Sequence, residues 1–131
     1  MSYYISTTLS TSFDEAIEKT TAALKEEGFG VLTEIDVKAT IKKKLDKDFY
    51  PYKILGACNP PFAYQALQAE DKIGVMLPCN VIVQEKQPGT VEISAVDPLQ
   101  SMMAIDNESL GPVAMQVQEK LKKVIASLWF M

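Results

Sequence analysis

Between Ile73 and Asp97 the chain alternates apolar and other residues on either side of one turn, and this constrains the fold more than any other feature. Ile73, Val75, Leu77, Cys79, Val81 and Val83 fall on one side of an extended segment, and Gly74, Met76, Pro78, Asn80 and Ile82 on the other. A period of two predicts a strand. Pro78 within it predicts a bulge or an edge position, because proline cannot donate to a sheet ladder. Lys86-Gln87-Pro88-Gly89 predicts a turn, and Thr90 to Asp97, with Val91, Ile93 and Ala95 on one face, returns antiparallel as a hairpin.

The rest of the chain alternates strand and helix signals. Tyr3 to Thr8 is aromatic and β-branched, as strands are. Ser12-Phe13-Asp14-Glu15 has the spacing of a capping box. Phe13, Ala16, Ile17, Ala23 and Leu24 then share one helical face, and Gly28 marks the end of that helix. Val31 to Ile35 predicts a short strand. Asp36 predicts the cap of a second helix from Val37 to about Leu45, with Lys38, Lys42, Lys43 and Lys44 outermost. Tyr50 to Ala57 predicts another strand, and Asn59 with Pro60-Pro61 the start of a helix running to about Ala69. After a loop around Asp106-Asn107, Val113, Val117, Leu121, Val124, Ile125 and Leu128 form the buried stripe of a final helix. One hairpin among these elements predicts an α+β fold: a single two-layer domain over residues 1–131, a mainly antiparallel sheet with helices packed on one face. The other face must then be solvated, covered by a loop, or buried against another subunit.

Composition excludes more than it identifies. The chain of 131 residues carries a net charge of −4, has no histidine, and draws all 13 cations from lysine. Without histidine, a serine–histidine–aspartate triad, a cysteine–histidine dyad and HExxH zinc chemistry are all impossible. No P-loop or GxGxxG is present. An acidic balance without arginine argues against nucleic acid as a partner. No segment is apolar enough to span a membrane, and the start lacks the pattern of a secretory signal, so the expected location is cytoplasmic.

Two cysteines, each followed by asparagine and set beside proline, stand out: Gly56-Ala57-Cys58-Asn59-Pro60-Pro61 and Leu77-Pro78-Cys79-Asn80-Val81. Their spacing is neither a thioredoxin-type CxxC nor a small-domain disulfide framework, and reduced thiols are expected. One reading makes them two small buried residues. The other makes them a shared site: Cys58 precedes a helix N-terminus, where a thiolate is favoured, and Cys79 lies in a strand that could adjoin it. Such a pair could hold a soft metal, or cycle between dithiol and disulfide. A zinc site would need carboxylates or a second chain to complete four ligands. Asn59 reads as a helix cap. Asn80 either holds the bulge at Pro78 or faces a ligand. Asp36, Asp97 and Lys53 are candidates for acid–base work if they converge near Cys58. The lysines of the second helix read as a solvated face or an anion contact. Met102-Met103 and Trp129-Phe130-Met131 cover the core or make a subunit contact.

Three blocks carry a family resemblance: Glu34 through Leu45, Tyr52 through Pro61, and Leu77 through Val83. With Asp97-Pro98 after the last strand, the chain resembles an uncharacterised bacterial and archaeal family, domain of unknown function 302, over nearly its whole length. The resemblance implies a TATA-binding-protein-like arrangement of sheet and helices, and self-association as a homodimer. It implies no activity, and the cofactor is unknown.

Three functions follow as expectations. The first is a binding module with a pocket for a small ligand or metal between Cys58 and the Pro78–Asn80 segment, drawing on Cys58, Asn59, Cys79, Asn80, Asp97 and Lys53, with Cys58 and Cys79 as the metal ligands. The second is a thiol-dependent enzyme using Cys58. The third is a dimeric interaction protein without small-molecule chemistry.

Overall fold

A computed structural model describes residues 2–128. Trp129-Phe130-Met131 lies outside the described residues. Five strands, β1 (Tyr4–Ser10), β2 (Gly30–Asp36), β3 (Tyr52–Cys58), β4 (Cys79–Gln87) and β5 (Thr90–Val96), form one sheet. Its order is β1-β5-β4-β3-β2, and every neighbouring pair is antiparallel. The helices are α1 (Phe13–Glu26), α2 (Val37–Leu45), α3 (Pro60–Ala69), α4 (Pro98–Ser101) and α5 (Leu110–Ser127). The molecule is an α+β domain.

Local chemistry accounts for most boundaries. The Ser12 hydroxyl accepts from the Glu15 N–H at 3.1 Å and starts α1. The Glu15 carboxylate bonds Thr11 rather than closing a reciprocal capping box. Gly28, at φ +87°, ends α1: its N–H reaches the Lys25 carbonyl and the Phe29 N–H reaches that of Leu24. Only glycine adopts that backbone without strain. Asp36 accepts from the Ala39 N–H at 2.9 Å and starts α2. Gly89, at φ +83°, turns the β4–β5 hairpin.

Strand alternation sends Leu55, Val81, Val83, Val91, Ile93 and Ala95 to one face, each at most 1% exposed, where they meet Leu24 of α1 and Leu121 and Val124 of α5. Each such large side chain contributes roughly 1.5–3 kcal/mol through burial. A smaller cluster, Ala66, Ile73 and Leu110, seals α3 to α5.

The expected strand from Ile73 is shorter than the alternation predicts. Asp71–Met76 is a 3₁₀ turn, and β4 begins at Cys79. Residues i and i+2 of a strand share a face, yet Ile73 is fully buried while Val75 is 85% exposed. Burial of Ile73 beneath α3 and α5 overrides its β propensity. Pro78 precedes β4 through a cis Leu77–Pro78 bond. The register shifts lie elsewhere: in β2 between Val31 and Thr33, and further along β4 between Gln84 and Gln87. Helix α4 forms just beyond the hairpin, capped by Asp97.

Candidate functional site

The ends of β3 and β4 bring the two cysteines together. Ala57 pairs with Cys79, so Cys58 is the diagonal neighbour of Cys79. Adjacent antiparallel strands put such Cα atoms about 6 Å apart. Cys79 shares the parity of Val81 and Val83 and points toward the helices. Cys58 has the parity of Gly56 but is the last residue of β3, and it lines the same cavity as Cys79. A disulfide needs Cβ atoms directed at each other, so the register makes the thiols neighbours without presetting a bridge. Both are free thiols. Burial, and secondarily the electrostatic influence of the neighbouring Cys58, pushes the Cys79 thiol up to about 11. It is therefore protonated at neutral pH.

Residue 58 stands one position before the cap of α3. A helix N-terminus favours a thiolate through its free N–H groups. Here prolines occupy the first two helical positions and supply none. Asn59 sits at the cap, but its side chain does not bond the helix. Its amide donates instead to the Glu27 carbonyl at 3.1 Å. Asn59 thus ties the end of α1 to the β3–α3 junction, and its amide lies 3.2 Å from where a Cβ on Gly28 would be.

Above this junction lies a cavity of about 320 Å³. The sheet supplies Ala57 and both cysteines, and α3 supplies Phe62, Ala63 and Ala66. Helix α5 contributes Val113, Ala114 and Val117 opposite them. Four of these wall positions are alanine, and it is their small side chains that leave the space open. Protein interiors otherwise pack as densely as organic crystals. Leu32 and Leu67 also line the cavity, yet are 68% and 44% exposed, so they form its mouth. The β2 register shift lies at Leu32, and a bulge re-aims a side chain in this way. Among the described residues, no charged side chain lines the cavity.

The other candidates lie elsewhere. Asn80 pairs with Gly56 and faces the open side of the sheet, away from the helices. There it borders a separate hollow of about 490 Å³ with Tyr52, Gln84 and Glu92. In that hollow the Gln84 amide donates to Glu92 at 3.1 Å, and the Tyr50 hydroxyl donates to Gln84 at 3.1 Å. Burial, then the neighbouring Tyr50, raises the Tyr52 phenol above its ordinary value. Asp97 is buried and structurally engaged: it accepts from the Leu99 N–H at 3.0 Å, and from the Gln118 amide at 3.0 and 3.1 Å. Lys53 lies five residues along β3 from Cys58, about 17 Å at strand rise. Its ammonium pairs with Glu34 at 2.8 Å, and this hydrogen bond raises its pKa. Asp36 is occupied as the α2 cap. Lys42 pairs with Asp46 at 3.1 Å and Asp48 at 3.5 Å.

The structure therefore brings together Cys58, Asn59 and Cys79, and separates them from Asn80 and Lys53. Among the described residues, no set of three cysteine, aspartate or glutamate side chains could hold a metal ion. The cavity walls on α3 and α5 carry no chemical motif. Their one sequence signal is alanine recurring on apolar helix faces, at 63 and 66 and at 114.

The family model described as "Domain of unknown function DUF302" matches residues 5–128. The chain is also similar to the crystal structure of an uncharacterised conserved DUF302 protein from Bacillus stearothermophilus. The two share 29% identity with a TM-score of 0.88, over 96% of this chain and 98% of that one. No match is found among curated proteins.

Proposed function

The chain belongs to the DUF302 family, which has no assigned activity, and we propose that it is a small binding module whose ligand occupies the cavity between the sheet end, α3 and α5. The observation that carries this reading is the cavity itself. Its volume falls at the small end of the ~300–1,000 Å³ range typical of ligand sites, and its walls are apolar with a few polar atoms. The start of α3, where two prolines supply no N–H to a thiol at Cys58, favours binding over thiol catalysis.

A ligand-observed NMR screen of small fragments spanning cations, anions and neutral molecules tests this directly. The reading expects hits whose signals vanish in Ala63→Phe, which fills the cavity from α3. Hits unaffected by that variant, or no hits, would contradict it.

Self-association is a second reading, supported by the uncovered sheet face. Tyr4, Ile35, Tyr52, Ile54 and Ile82 share that face, and Tyr4 and Ile35 are 46% and 48% exposed. A second copy meeting sheet to sheet would cover them. Light scattering at micromolar concentration should give a dimer mass that Ile82→Lys reduces to a monomer. A monomeric wild type would rule this out. Two free thiols are also in keeping with a reducing compartment such as the cytoplasm.

A further inference from the structure

We infer that the cavity selects an uncharged, flat aromatic ligand; this rests on the binding reading above and names its ligand class. Charge decides the first half. A charged group entering the cavity would leave water and meet no counter-charge among the described residues. The polar side chains at hand are Thr33, Asn59 and the two cysteines. One N–H of the Asn59 amide is already donated to the Glu27 carbonyl. Cys79, protonated at neutral pH, adds no charge to the wall.

Polarisability decides the second half. Phe29 and Phe62 present aromatic surface, and Cys58, Cys79 and Met102 present three sulfurs. Sulfur–aromatic contacts and offset ring stacking both favour a π-system over a saturated hydrocarbon of equal size. The mouth is consistent with this, since the exposed Leu32 and Leu67 offer apolar surface to an apolar molecule and nothing to an ion.

Three matched molecules test the inference by calorimetry on the full chain at pH 7: 1-naphthol, naphthalene-1-carboxylate and decahydro-1-naphthol. The expected Kd of 1-naphthol is at least tenfold below that of the carboxylate and at least threefold below that of the saturated alcohol. Ala63→Phe, and the milder filling Ala63→Leu should the first variant not fold, are expected to abolish 1-naphthol binding. A carboxylate that binds as tightly as 1-naphthol overturns the charge argument, and an equal saturated alcohol overturns the aromatic one. Binding of 1-naphthol that survives both variants places it elsewhere and overturns the inference. Should the fragment screen place anions in the cavity, the binding reading stands and this inference alone falls. A screen without hits in the cavity removes both.

Discussion

At Gly56 the sheet has no room for a side chain. A Cβ there would overlap the Thr33 hydroxyl and come within 2.8 Å of Pro78 Cγ. These two residues close over the glycine from β2 and from the segment before β4, beside Cys58. Gly56→Ala must push them apart, and overpacking of this kind costs about 1–3 kcal/mol. A lowered urea midpoint with an unchanged slope is the expected result. Cys79 makes a prediction of opposite character, because its thiol is neutral in the fold. Its folded pKa is raised to about 11 from a reference of 9.0. The stabilisation of the neutral form is thus fully present below pH 9 and is lost as pH rises through 11. By linkage it amounts to at most about 3 kcal/mol. Unfolding free energy measured across pH 8–11 should fall less steeply in Cys79→Ala than in wild type. Parallel slopes would show that the thiol is not desolvated as described.

Elements are joined at this end of the molecule by side chains that sequence reasoning treats as candidate chemistry. Asp97 follows β5 directly, and its carboxylate caps α4 and holds Gln118 of α5, so one residue links three elements. Asp97→Ala removes a cap and leaves the Gln118 amide without this partner, at a cost of about 1–3 kcal/mol. The loss should appear as a lower melting temperature, with faster amide exchange in α4 and the first half of α5. Helices α1, α2 and α3 were legible because their signals are local: Ser12, Gly28, Asp36 and Pro60 each act within a turn of their own position. The hairpin was legible for the same reason, with Gly89 at its turn. The segment Asp71–Met76 was not, because burial of Ile73 against Ala66 and Leu110 is a tertiary contact that no local pattern records.

On the scale of the whole molecule, the sheet separates two surfaces that sequence reasoning places in one pocket. Cys79 and Asn80 are consecutive, yet strand alternation sends one toward the helices and the other to the open face. Lys53 and Cys58 share a strand but lie near its two ends. The proximity of Cys58 to Cys79 could be suspected from their flanking strands, but it depends on the pairing of β3 with β4, a register the hairpin alone does not set. The sequence placed a pocket beside Cys58 and Pro78, and the cavity borders both; its far walls were not legible, because they are made by residues of α3 and α5 that meet only in the fold.

We propose that this cavity, and not the open face of the sheet, receives the ligand. Amide chemical shifts of the ¹⁵N-labelled protein, followed while 1-naphthol is added, test it most directly. Binding in the cavity predicts saturable shifts at Ala57, Cys79, Ala66 and Ala114, with little change at Tyr52, Gln84 and Ser94. Shifts confined to the second group would contradict it and assign binding to the open face.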